Sequence, residues 1–173
     1  VNNMSQVWSE INKVVNVVDP VATCGATKTS DVVNLENYKK CTFLVVTGAS
    51  VANTDNVLTV GAGATSTGAA TAIAFKYRTQ ILAATPDATS DVPGDLTDAT
   101  STGFSMSASK KGGVYIIEVD AADVAAGTTG TTYYDHVALT LTEVTGSGAW
   151  VGTVIAILSE PRYPQAILQT AID

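Results

Sequence analysis

The chain has 173 residues, enough for one globular unit with a real core and too few for a two-domain enzyme. Apolar residues make up 46% and charged residues only 14%, which excludes a disordered chain and implies a surface carrying few charges. Nine Lys and Arg against sixteen Asp and Glu leave a net charge of −7, so the field of the whole molecule repels phosphate backbones and anionic lipid; no nucleic acid and no membrane is expected as partner. What polarity remains comes from Thr, Ser, Asn and Gly, with Thr set beside Val and Ala along much of the chain. β-Branched side chains fit a pleated surface and lose rotamer freedom in helices, so this is the composition of a β protein.

Residues 1–6 hold no Lys or Arg and no signal-type apolar run follows, while stretches such as 154–158 fall far short of the ~18 residues of a membrane span, so neither a secretory signal nor a transmembrane segment is expected. Over residues 5–18, Val7, Ile11, Val14, Val15 and Val18 fall on one stripe of a 3.6-residue period, with Ser5 as N-cap and Asp19-Pro20 as stop. The spacing predicts an N-terminal helix, and the Val content leaves an extended arm as the alternative. In either form residues 1–20 make an apolar segment that packs on its own domain or docks on a neighbouring subunit, with Trp8 beside the stripe as a contact residue. Cys24 and Cys41 have no Cys-x-x-Cys or histidine pair around them and read as small buried thiols rather than a disulfide or a metal site.

From Cys41 onward the pattern changes to alternation or short apolar runs bounded by Gly, Asn, Asp and Pro, predicting strands at 41–48, 56–61, 69–78, 80–85, 103–107, 113–119, 133–142 and 149–158. In 133–142, Val137, Leu139 and Leu141 alternate with Ala138, Thr140 and Thr142, as in an antiparallel sheet with one covered face. Val137, Leu139, Leu141, Val154, Ile155 and Ile157 are the expected core. Residues 62–68, 85–102 and 126–132 read as loops, and Asp120 with Asp123 three residues on as the start of one capped helical turn. No helix-length segments separate the strands, so the fold class is all-β: an antiparallel, jelly-roll-like β-sandwich over 21–160, with an N-terminal helix or arm over 1–20 and an extended C-terminal tail over 161–173.

Motifs for chemistry are sparse. The one histidine, His136, follows Asp135 in a predicted strand, and adjacent strand residues face opposite ways, so Asp135 is not expected to orient it. Gly61-x-Gly63 lacks the strand-to-helix setting of a phosphate loop. Asp87, Asp91, Asp95 and Asp98 share one loop, but their spacing fits no calcium loop and reads as a solvated acidic stretch. No catalytic residue, cofactor or metal is nominated, and Trp150, opening the last strand, reads as core. Beyond that strand, Pro161 and Pro164 favour an extended segment, and Ile167, Leu168 and Ile172 form an apolar end that covers a sheet edge or seeks a partner.

Several segments together resemble a known family: Ser30, Asp31, Val33, Leu35 and Tyr38 leading into the first long strand; Val119 to Ala121 before Tyr134, Asp135, Val137 and Leu139; and Arg162 with Tyr163 after the last strand. Over about residues 30 to 165 the chain resembles the capsid decoration, or cement, proteins of tailed bacteriophages. The resemblance implies a structural virion protein, not an enzyme, that binds the exterior of an icosahedral head and clamps neighbouring capsomers. Its implied partners are the major capsid protein and further copies of itself, as a homo-oligomer and commonly a trimer; its location is the virion, assembled in the host cytoplasm. The apolar ends then become the contact candidates: Val7, Trp8, Ile11, Val14, Val15, Arg162, Tyr163, Ile167 and Leu168. Deleting 1–18, or truncating after Leu158, is expected to weaken assembly more than folding. A head or tail fibre piece, or a carbohydrate-binding adhesion module, is the alternative.

Overall fold

In a computed structural model of the chain, which describes residues 7–24, 27–48, 56–81, 92–106, 113–143, 150–163 and 168–172, the alternating segments become strands of two antiparallel sheets. In chain order the elements are α1 (Trp8–Ile11), β1 (Lys13–Cys24), β2 (Lys28–Thr29), β3 (Val33–Asn34), β4 (Tyr38–Thr47), β5 (Asn56–Gly63), β6 (Thr71–Ile73), β7 (Phe75–Ile81), β8 (Thr97–Ala99), β9 (Phe104–Met106), β10 (Gly113–Asp120), α2 (Ala121–Ala126), β11 (His136–Glu143) and β12 (Trp150–Pro161). The first sheet has the order β1-β12-β4-β10-β7-β8; the second runs β2-β11-β5-β6, with β3 also on β11 and β9 also on β5. The chain passes repeatedly from one sheet to the other, so that β1, β4, β10 and β12 share one layer and β2, β3, β5, β6 and β11 the other. This interleaving is the jelly-roll form of the sandwich, in line with the expectation from the sequence.

The core lies between the sheets and follows the two-residue period. Phe43 and Val45 of β4, Ile117 and Val119 of β10, and Val154, Ala156 and Leu158 of β12 face Leu58, Val60 and Ala62 of β5 and Val137, Leu139 and Leu141 of β11, all of them buried. Each full-sized aliphatic side chain removed from water here stabilises the fold by ~1.5–3 kcal/mol before the entropy of ordering it. Ile155 and Ile157, expected in the core, are the alternate residues of β12 and are only half-buried on the outward face. With apolar residues on both sides of β12, sequence alternation alone could not tell the two faces apart.

The helix expected over 5–18 is largely a strand. Only Trp8–Ile11 is helical, with Val7 rather than Ser5 in the N-cap position and the Glu10 carboxylate accepting the Val7 backbone N–H at 2.9 Å. From Lys13 the chain pairs antiparallel with β12, Lys13 opposite Leu158 through Cys24 opposite Trp150. The register shifts between Asn16 and Val18, an irregularity that puts an extra residue on β1 and lets Val17 and Val18 both be buried. That bulge breaks the strand period and mimics a helical stripe. Pro20 sits inside β1 without penalty because β1 is the edge of its sheet, and Pro161 closes β12 at a point beyond β1, where no neighbour needs its missing N–H.

Two further expectations change. The strand predicted over 69–78 divides at Ala74, β6 pairing in the second sheet and β7 in the first, so the chain turns a corner of the sandwich there. The stretch 85–102, read as loop, contains β8 on the edge of the first sheet. Residues 82–85 of the strand predicted over 80–85 lie outside the described residues. Asp120 does stand at the N-cap of α2 and Asp123 in its first turn, though no side-chain bond closes the cap. Gly63 is required by close approach: a Cβ there would lie 1.7 Å from the Gly68 carbonyl oxygen, where the returning chain crosses β5. Packing, not phosphate binding, accounts for Gly61-x-Gly63.

Candidate functional site: an open sheet face and the cleft at its end

The outward face of the first sheet departs from the usual alternation. Leu44 of β4 stands opposite Ile116 of β10 on one side and Ile155 of β12 on the other; Val46 stands opposite Val114, and Val14 of β1 opposite Ile157. These seven side chains point away from the core across four adjacent strands. Val14 is 49% and Val46 38% exposed, and the others are half-buried among one another. An antiparallel sheet whose second face meets only water carries polar residues there. Here the polar side chains stand at the margin: Lys40 paired with Glu160 at 3.4 Å, Glu118, and Lys76 paired with Asp98. Three strand spacings of ~4.8 Å by two same-face steps of ~6.7 Å give this patch roughly 14 by 13 Å between Cα positions. That is below the ~800 Å² per partner of a standard interface, so a stable complex needs neighbouring surface as well.

Further exposed apolar side chains lie on the N-terminal segment. α1 lies against β1 and β12, and Val7 and Trp8 are more than half exposed, while Ile11 is half-buried. Val15 is turned inward against the core, unlike Val14. At the other end of the chain, Arg162 and Tyr163 are exposed just beyond β12, and the Arg162 backbone N–H is held by the Asn37 carbonyl at 2.9 Å. Leu168 packs on the core of its own domain; Ile167 lies outside the described residues. Of the nine sequence-predicted contact residues, five are exposed (Val7, Trp8, Val14, Arg162, Tyr163), Val15 and Leu168 pack inward, Ile11 is half-buried, and Ile167 is outside the described residues. Leu44, Val46, Val114 and Ile116 were missed. The unbroken apolar runs 43–46 and 114–117 carried the signal, since a strand with one wet face cannot be apolar at every position.

At the end of the same face, β4, the last residues of β12 and α2 enclose an open cleft of about 530 Å³. It is lined by Lys39, Lys40 and Arg162, by Asp120 and Glu160, and by Ala121, Ala122, Ala125 and Tyr133. Glu160 is the one non-glycine residue with positive φ among the described residues, at 54°.

The histidine is placed differently from expectation. β11 begins at His136, so Asp135 lies before the strand and alternation does not separate the two side chains; Asp135 Oδ1 meets His136 Nδ1 at 2.5 Å. The Asp135 backbone is fixed by bonds to Leu35 and Gly63, and His136 is buried at the end of the second sheet, away from the open face. This pair can set a tautomer, which alone is no reaction. In the acidic stretch Asp95 and Asp98 are exposed; Asp87 and Asp91 lie outside the described residues. Cys41 is a free thiol, fully buried, and burial pushes its pKa far up.

No family model and no curated protein matches the chain. Among solved structures, one of the infectious bursal disease virus Gt strain aligns with 92% of this chain and 43% of its own, at 14% identity and a TM-score of 0.23. At that score the likeness is too loose to bear on fold or function, and this chain spans less than half of the other.

Proposed function

We propose that this protein is a structural component of a virion: a capsid decoration protein that binds the outside of an icosahedral phage head as a homo-oligomer and bridges neighbouring copies of the major capsid protein, without catalysis. The observation that carries the reading is the apolar outward face of β1, β12, β4 and β10, together with exposed Val7 and Trp8 on the segment leading into β1. Such a face is a binding surface, and a rigid sheet presents it without ordering cost at each contact. The sequence resemblance over 30–165 supports the same reading, while the jelly roll is compatible with it by analogy only, since lectins and cupins share the architecture. Two measurements test it. Quantitative mass spectrometry of purified particles should give this chain in simple ratio to the major shell protein; absence from particles would overturn the reading. Replacing Leu44 and Ile116 by Lys should leave a folded protein that no longer adds back to stripped particles.

One observation favours an adhesion module instead. Tyr77 and Phe104 stack with ring centres 3.9 Å apart, and with Tyr115, Asp95 and Thr97 they line a cleft of about 200 Å³ between β7 and β9. Aromatic faces beside a carboxylate and hydroxyls suit a sugar ring. Glycan binding lost on Tyr77→Ala, with particle retention unchanged, would favour that reading.

A further inference from the structure

We infer that the cleft between β4, α2 and the end of β12 is a binding site for an acidic peptide segment. The cleft gathers three of the nine Lys and Arg of a chain whose net charge is −7. Lys40 is engaged by Glu160, but Lys39 and Arg162 are exposed and have no side-chain hydrogen bond or ion pair with any described residue. Two free cations thus flank one concave surface, where the low-dielectric walls focus their field. The backbone at the cleft is set as well: Glu160 is held at positive φ, a conformation that persists where surrounding structure fixes it. Its carboxylate and that of Asp120 decide which anion fits. A polyphosphate, with charge at every step, would meet both carboxylates, whereas a peptide can set its own carboxylates on Arg162 and Lys39 and lay neutral backbone past the others. An Arg guanidinium such as that of Arg162 matches a carboxylate through two parallel bonds, and the lining alanines with exposed Tyr133 can accept aliphatic parts of a side chain.

The inference rests on the decoration reading only for placing the segment on a neighbour in the shell. The experiment titrates the full chain, labelled with nitrogen-15, with acetylated hexaglutamate amide and in parallel with the hexaglutamine peptide. Saturable shifts of the Lys39, Ala122 and Arg162 amides with hexaglutamate alone are expected, weakened at least about tenfold in Lys39→Glu/Arg162→Glu and less in the Gln double variant. No saturable shift, equal shifts with hexaglutamine, or an unweakened double variant would overturn the site. Both side chains are exposed and unpaired, so the variants keep the fold, which the unshifted core amides report. Sedimentation of the full chain identifies the source: self-association abolished by the double variant means the acidic 87–98 segment of a second copy, and a monomer that binds hexaglutamate means another protein. No particle is needed, so failure of the titration leaves the decoration reading standing, and failure of the particle assay leaves the cleft standing.

Discussion

The two ends of the chain read alike in the sequence, each an apolar segment beside the sandwich, yet the fold treats them differently. Residues 168–172 return to their own domain: Ala171 is buried, the Tyr38 hydroxyl donates to the Gln169 carbonyl at 3.0 Å, and the Asn34 N–H donates to the Ala171 carbonyl at 2.8 Å. The N-terminal segment splits, β1 closing the edge of the first sheet while Val7 and Trp8 stay in solvent. The difference lies in hydrogen bonding. A segment with backbone partners along its length is part of the fold, and one with exposed side chains and few backbone bonds is available to a partner.

The largest effect that tests this contrast is removal of β1. Deleting residues 1–24 bares the full length of β12 and removes Val17 and Val18 from the core, so cooperative unfolding should vanish, and the expectation that a folded sandwich survives without residues 1–18 is reversed. A sharp calorimetric transition in the shortened protein would contradict this. Truncation after Tyr163 comes next. It uncovers the core beneath Leu168, Ala171 and Ile172 and leaves the buried Tyr38 hydroxyl without its carbonyl, which should cost about 2–4 kcal/mol in urea unfolding. The described C-terminal residues are thus part of the fold, so truncation is expected to cost folding directly.

Cys41, at the centre of the first sheet, gives a pH-dependent test of the same core. Its folded-state pKa is raised by burial, so the unfolded chain loses the thiol proton first as pH rises. The stabilising contribution is complete below the unfolded thiol's value of ~8.5 and falls above it by about 1.4 kcal/mol per pH unit. Against Cys41→Ala, the native protein should therefore lose relative stability between pH 8.5 and 10.5, measured by urea unfolding. A constant difference would show that the thiol is not sealed. Tyr38→Phe, which removes only the hydroxyl bond to Gln169, should cost about 1 kcal/mol.

Part of this architecture was legible because β11 alternates large aliphatic side chains with Ala and Thr. Val137, Leu139 and Leu141 were identified as core on that ground, and Val154 from the apolar run of the last strand; all four are buried. What escaped was set by pairing rather than pattern. The bulge in β1 disguised a strand as a helix, the corner at Ala74 divided one apolar run between two sheets, and β8 is a three-residue strand paired with β7 at the sheet edge. The candidate site was legible at its ends, through Trp8, Val14, Arg162 and Tyr163. Its centre was not, because Leu44 and Ile116 sit in apolar runs that read as continuous core until the register shows which side each faces.

The smallest expected effect on folding separates the two ends most cleanly. Val7 and Trp8 are 59% and 55% exposed, and no residue of α1 is buried, so replacing both by Ser should change stability by no more than ~0.5 kcal/mol. On the decoration reading the same change removes an exposed aromatic contact and should reduce retention on shells, read as protein released from particles under dilution. Loss of stability without loss of retention would mean that α1 is part of the fold after all, and the contrast between the two ends would fall. Loss of retention at unchanged stability would locate binding on the exposed Val7 and Trp8, which the fold itself does not need.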